Sequence, residues 1–381
     1  MNDIYIAWNT ICGDRHRPDA RCTMFVCRYY RIYDIGREID LAALEKSLAE
    51  NPAAGYTLGR AGFRRVKPKS IMLEAEPLML KMNPFRIERE GQQLGFSVIA
   101  KIYDIGALSL CFIFEDPGSP VNRLEQVAVA LYGQEGLVEY FSEYLARLTG
   151  LLGSHLKDMT LTPGFYEDYV IYVTDRIERS IDAAVILSGE KAGSLSPQMR
   201  DEITRNSLSY RDDDIVILSW DAALICDPKN PADIIDLIEF ANVQVLELRY
   251  YDRELTKQME KMYDDIEFAD KMPGFRRSRR YHAIMSELMT TSAEISEITE
   301  KVNNLIKVTE DVYYARVYAT VLKVIRSGQW SESLNRKIEV IRQNYSMLSD
   351  EVRIQHSNFL EWVIIVLIAL EFALAIWQSI R

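Results

Sequence analysis

Residues 359–380 read FLEWVIIVLIALEFALAIWQSI. As a helix this run would extend about 33 Å, enough for a bilayer core of about 30 Å. Apolar residues cover every side of it rather than one stripe, which is unlike a surface helix. Trp362 and Trp377 fall near the two ends, where aromatic belts sit at a membrane interface. Two acids interrupt the run. Glu361 lies at headgroup depth, while Glu371 lies past the middle, where a charge costs about 3 kcal/mol on insertion scales. Glu371 is therefore expected to be protonated, paired across a helix bundle or turned towards water. The competing reading is a buried helix of a soluble core, which would need cover on all sides. A spanning anchor that places membrane lipid around these residues is the expectation.

Working back from the anchor, Leu334, Ile338, Ile341, Tyr345, Leu348, Val352, Gln355 and Phe359 alternate in steps of four and three. That is a heptad stripe running straight into the apolar segment. Ile295, Ile298, Val302, Leu305 and Val312 repeat the spacing upstream, with Thr309 as a polar interruption. A third stripe after Pro231 holds Ile238, Ala241, Val245, Leu248, Leu255, Met259, Met262 and Ile266. Breaks fall at Met272-Pro273-Gly274 and Ser327-Gly328. At least three long helices follow, either folded back on one another or associated between subunits; periodicity leaves both open.

Before Pro231 the texture changes to short runs rich in Val, Ile, Tyr and Phe. Residues 22–33, 96–103, 108–114, 169–173, 184–187 and 215–219 read as strands, and 41–48, 121–152 and 197–206 as helical segments. The tetrapeptide Tyr-Asp-Ile-Gly occurs at 33–36 and 103–106, and is better read as a recurring strand-end turn than as a duplication. The expected fold class is an α+β N-terminal domain followed by a long-helix, coiled-coil-like stalk and one C-terminal transmembrane helix. Residues 1–160 form an N-terminal α+β region, 161–228 a second α/β segment, 229–357 the stalk and 358–380 the transmembrane helix.

The chain has 381 residues, 48% hydrophobic and 27% charged, a composition that argues against wholesale disorder. Its net charge of −11 makes it a poor general binder of nucleic acid or anionic lipid, although a local basic patch could still do either. Five irregularly spaced cysteines suit a reducing compartment. The opening MNDIYIAWNTIC has no basic leader, so no secretory signal is expected. Lys337, Arg342 and Arg353 precede the apolar run and Arg381 follows it, which points to a single pass with the bulk of the chain cytoplasmic.

The run Leu334-Asn335-Arg336-Lys337-Ile338, the heptads and then 360–371 (LEWVIIVLIALE) resemble the "required for meiotic nuclear division" family, found in bacteria and mitochondria. The resemblance implies a membrane-anchored homo-oligomer with its large domain on the cytosolic or matrix side. It also implies a role near translation, hence a ribosome or RNA as partner, and no established catalytic residues. Glu361, Trp362 and Glu371 carry over as membrane-insertion and packing residues.

No glycine-rich phosphate loop, nucleophile elbow or paired-cysteine motif occurs, and no catalytic, cofactor-binding or metal residue is assigned. Cys12, His16, Cys22 and Cys27 are the one metal-like cluster, read as structural thiols. Asp212, Asp213 and Asp214, with Asp221 beyond, would suit Mg²⁺ and hence an Mg-dependent enzyme, but a solvated turn explains them better. Asn242, Glu247, Arg249 and Asp252 put polar groups into an apolar helix, read as packing specificity. Two basic clusters stand out: Arg60, Arg64, Arg65, Lys67 and Lys69, then Arg276, Arg277, Arg279 and Arg280. The second could hold lipid phosphates or contact RNA or a ribosome as a patch for an anionic partner, but a solvated loop is the preferred reading. The function expected is a noncatalytic, membrane-anchored oligomeric scaffold; the alternative is an ion channel or transporter with Glu371 on the ion path.

Overall fold

The computed structural model describes residues 23–36, 39–50, 55–60, 71–73, 75–119, 122–153, 161–162, 164–176, 181–191, 193–229, 231–303, 306–308 and 311–380. They fall into two units, Met1–Glu247 with Val302–Gly328, and Leu248–Lys301 with Gln329–Arg381.

The first unit is built on a nine-stranded mixed sheet. Its strands are β1 (Thr23–Asp34), β2 (Tyr56–Arg60), β4 (Leu78–Arg89), β5 (Gln92–Ile102), β6 (Ala107–Ser119), β7 (Tyr166–Thr174), β8 (Ser207–Leu208), β9 (Ile215–Leu218) and β10 (Ala222–Cys226). The spatial order is β2-β4-β5-β6-β1-β7-β10-β9-β8, and a separate pair joins β3 (Ile71–Leu73) to β11 (Ile306–Val308). Every neighbouring pair is antiparallel except β7 and β10. β1 lies between β6 and β7, so segments expected on either side of residue 160 pair within one sheet.

Alternation along the strands gives this sheet two unlike faces. Phe25, Cys27 and Tyr29 of β1, Phe96 and Val98 of β5, and Phe112 of β6 point to one side. There they pack with α1 (Leu41–Glu50), α2 (Asn122–Ala130), α3 (Val138–Leu152), α4 (Ala183–Ser188) and, through Ile203, α5 (Pro197–Ile203). The opposite side carries Arg28, Tyr30 and Asp34 of β1 and Lys101 of β5. It receives the first part of α6 (Ala232–Asp270), where Tyr103 packs edge-on to Phe240 at 5.4 Å.

Three local features depart from the sequence expectations. Residues 184–187 are helical, not extended. The Asp182 side chain accepts from the Val185 amide at 3.3 Å and Gly189 closes the turn at φ +64°, so two caps define α4 where six residues are too few to display a helical period. A Cβ on Gly189 would also collide with the Tyr132 ring. The helical stretch 121–152 breaks into α2 and α3 around Gly133, at φ +61°. β4 was not expected at all, because Lys81, Asn83, Pro84 and Arg86 disguise it. Pairing with β5 shifts register between Met82 and Phe85, and that irregularity holds the proline out of the ladder. Each Tyr-Asp-Ile-Gly does end a strand, and the two turns adjoin: the Ile35 amide donates to the Gly106 carbonyl at 2.9 Å.

The second unit holds the remainder of α6, then α7 (Gly274–Asn303) and most of α9 (Ser327–Ile380); α8 (Val312–Val324) belongs to the first. Leu334, Ile338, Ile341 and Leu348 of α9 are buried, as are Leu255 and Met262 of α6 and Tyr281, Ile284 and Leu288 of α7. The stripes expected on α6 and α9 are thus packed in part within one chain, whereas the stripe expected from Ile295 to Val312 is broken: α7 ends at Asn303, β11 intervenes and Val312 is 85% exposed at the start of α8. Arg249 stacks over Trp330 at 5.7 Å, Ser333 donates to Asp252 at 2.7 Å, and Lys337 reaches Asp252 at 2.7 Å and the Thr256 hydroxyl at 2.6 Å. These contacts fall in the same order along both helices, so α6 and α9 run in parallel, with α7 returning from the turn after Asp270.

Candidate functional site

The apolar end of α9 stands alone. Every described side chain from 359 to 377 is exposed, Trp362 and Trp377 each to 68%. Among the described residues this is one helix long and apolar enough to cross a membrane, and none of the apolar window is buried. Glu361 and Glu371 are exposed on it.

The α6–α7 turn sits near the start of that stretch. Arg277 pairs with Glu351 of α9 at 3.5 Å and Arg280 with Asp265 of α6 at 2.5 Å. Arg276 and Arg279, also three apart and so on a common helical face, are exposed. The four expected arginines therefore divide into an inward pair tied to acids and an outward pair facing solvent.

Beneath the first part of α6 lies a buried polar cluster that sequence reading missed. Lys101 Nζ is 3.0 Å from Asp236 Oδ1 and 2.6 Å from Glu239 Oε2, and the Tyr103 hydroxyl donates to Glu239 Oε1 at 3.1 Å. Burial alone would weaken the Lys101 charge, but Glu239 and Asp236 outweigh it and hold the ammonium above its ordinary pKa. A lysine so held is no nucleophile. A lysine inside the apolar strand FSVIAKIY, and two acids three apart in IIDLIEF, were the available signals.

Further along the same helix, Glu247 is fully buried and neither of its carboxylate oxygens has a hydrogen-bond partner among the described residues. Burial, with the charge of Asp34 added, pushes its carboxyl pKa well above the usual range. The other expected polar positions of this helix serve locally: Asn242 donates to the Ile238 carbonyl at 2.9 Å, and Arg249 and Asp252 engage α9 as above.

The acidic turn is closed by a cation of the chain itself. Asp214 caps the Tyr210 and Arg211 amides at 2.7 and 3.2 Å, and the Arg211 guanidinium reaches Asp213 at 3.0 Å, Asp214 at 3.4 Å and Asp227 at 2.9 Å. Those carboxylates hold a turn through Arg211, with Asp214 buried rather than solvated, and no group of three or more potential metal ligands occurs among the described residues. Cys27 is buried, and burial raises its thiol pKa far above the reactive range. Cys12, His16, Cys22, His155, Arg64, Arg65, Lys67, Lys69 and Arg381 lie outside the described residues.

Comparison with known proteins corrects the family expectation. A protein of Methanocaldococcus jannaschii, "Uncharacterized protein MJ0711", is 25% identical over 176 residues, 46% of this chain and 53% of that protein. The chain thus spans about half the length of the relative it matches. No solved structure matches. Nothing found points to the "required for meiotic nuclear division" family. The C-terminal pattern misled for a physical reason: heptads followed by an apolar run with tryptophans at its ends is what helix packing and a bilayer demand of any chain. The family model described as "Uncharacterized protein MJ0711, N-terminal domain" instead matches residues 24–233, the segment that carries the sheet. Because that match takes in more than half of the 381 residues, this chain belongs to the MJ0711 N-terminal domain family.

Proposed function

We propose that this protein is a noncatalytic scaffold held on a membrane by residues 359–380 of α9, presenting its sheet domain to a partner on the cytoplasmic side. The observation that carries this reading is the uncovered apolar run. Exposed apolar surface costs about 25 cal/mol per Å² in water, and a bilayer removes that cost while filling all sides of the helix at once. The tryptophans at positions 362 and 377 support it through their spacing, about 22 Å along a helix and so within reach of both interfaces. Because the heptad stripe is occupied within the chain, a second copy would meet the first through residues 359–380, with Glu371 protonated or paired across that contact.

The test is membrane partition. Full-length protein is expected to stay in the pellet after an alkaline carbonate wash, and a chain stopped after His356 to appear in the supernatant. Recovery of both forms in the supernatant would remove the anchor. Replacing Glu371 with Leu is expected to leave attachment intact while shifting the oligomer distribution of the detergent-solubilised protein; an unchanged distribution would take Glu371 out of any helix–helix contact.

A further inference from the structure

We infer that the tip of the α6–α7 hairpin is a docking surface for the phosphate headgroups of anionic lipid, with Arg276 and Arg279 as its cationic contacts. This rests on the anchor reading above and adds a lipid preference to it. The argument is one of level along α9. Asp270, the last residue of α6, lies as far beyond Asp252 as Glu351 lies beyond Ser333, and Arg277 is paired with Glu351. The hairpin therefore ends beside Glu351. The apolar run begins about eight residues, or about 12 Å, further along α9. Headgroups occupy about 5–7 Å on each side of a hydrocarbon core, and the field of an anionic surface extends about 8 Å beyond them at physiological salt. The exposed guanidinium groups fall within that reach.

The distribution of charge at the tip favours the same partner. Its acids are largely engaged within the unit: Asp265 by Arg280, Glu267 by Lys271, Asp270 by the Tyr281 hydroxyl, Asp350 by Arg353 and Glu351 by Arg277. Asp264 is exposed and Asp270 meets only the neutral Tyr281 hydroxyl, so the tip is balanced in sum; Arg276 and Arg279 are its exposed cations with no ion-pair partner among the described residues. Exposed Phe268, two residues before the end of α6, adds an aromatic ring at the same level, suited to an interface. A solvated loop would require neither the sorting of the four arginines into two faces nor their coincidence with the start of the apolar run.

The experiment compares full-length wild type with R276Q/R279Q, both solubilised in neutral detergent and titrated with phosphatidylglycerol or phosphatidylcholine, with bound lipid read by native mass spectrometry. Neither arginine has a hydrogen-bond or ion-pair partner among the described residues and both are exposed, so the variant should fold as wild type does. Phosphatidylglycerol affinity is expected to fall on the order of 25-fold, roughly fivefold per arginine, with phosphatidylcholine unchanged. Equal phosphatidylglycerol affinity for both chains would overturn the inference. So would loss of binding to a single-stranded RNA oligonucleotide in the variant with lipid binding intact, which would assign the patch to RNA. Carbonate extraction of the same two proteins separates the readings: retention of both with equal lipid affinity removes only the headgroup site, and release of wild type removes the anchor and this site together.

Discussion

Replacing Lys101 with Met is expected to destabilise the protein by about 3–5 kcal/mol, the range for breaking a buried ion pair from one side. Lys101 is the cation between two carboxylates: Glu239, whose side chain is 1% exposed, and Asp236, at 18%. Without it the Tyr103 hydroxyl still donates to Glu239, but one bond from an uncharged donor cannot replace an ammonium shared by two acids. Methionine fills most of the lysine's volume, so the loss measures charge rather than a cavity. Thermal or urea unfolding of the full-length protein in detergent reads it directly. The deficit should shrink at low pH. Burial already raises the Asp236 pKa and Lys101 opposes that rise, so in its absence Asp236 would take up a proton more readily and cease to repel Glu239. K101M/D236N/E239Q should recover most of the stability. A loss below about 1 kcal/mol for K101M would mean that the cluster is solvated and its burial overstated.

The position of Lys101 also marks the limit of what sequence disclosed. Its acids lie 135 and 138 residues away, and no local pattern states that α6 crosses that strand. Local signals did better. Residues 359–380 were legible because no polar stripe interrupts them, and β5, β6, β7 and β9 because β-branched and aromatic residues crowd short runs. β4 was hidden because a half-exposed strand beside the sheet edge admits Lys81 and Arg86 on its wet side and a proline at its irregularity. The α4 caps were visible in Asp182 and Gly189, yet the intervening AAVILS was read by composition alone. The arginine run itself was plain in the sequence, but not its division between two faces. That Arg277 and Arg280 turn inward while Arg276 and Arg279 face solvent depends on the 3.6-residue helical turn and on acids brought from Asp265 and Glu351. Packing of the heptads within one chain could not be read, because the same stripe serves a bundle or an oligomer.

Glu247 yields the other large effect, and its sign is opposite to that of Lys101. Removing the Glu247 charge should stabilise the protein, because neither oxygen has a partner among the described residues and burial penalises the ionised form. The folded-state pKa is raised, so the folded chain keeps a proton that the unfolded chain releases at about pH 4.3. Folding then takes up one proton, and stability that is full below the unfolded pKa is lost as pH rises towards the folded value. The slope is about 1.4 kcal/mol per pH unit over that window. Glu247→Gln keeps the shape and cannot ionise, so it should remove this slope and raise neutral-pH stability by about 1–3 kcal/mol after the desolvation cost of the amide. Asp34, whose Oδ1 accepts from the Gly36 amide at 3.1 Å, is the neighbouring charge that adds to the effect. Asp34→Asn should therefore flatten the slope only in part. Stability curves of wild type and E247Q that run parallel between about pH 5 and 8 would mean that Glu247 is ionised in the fold and would overturn this account of it.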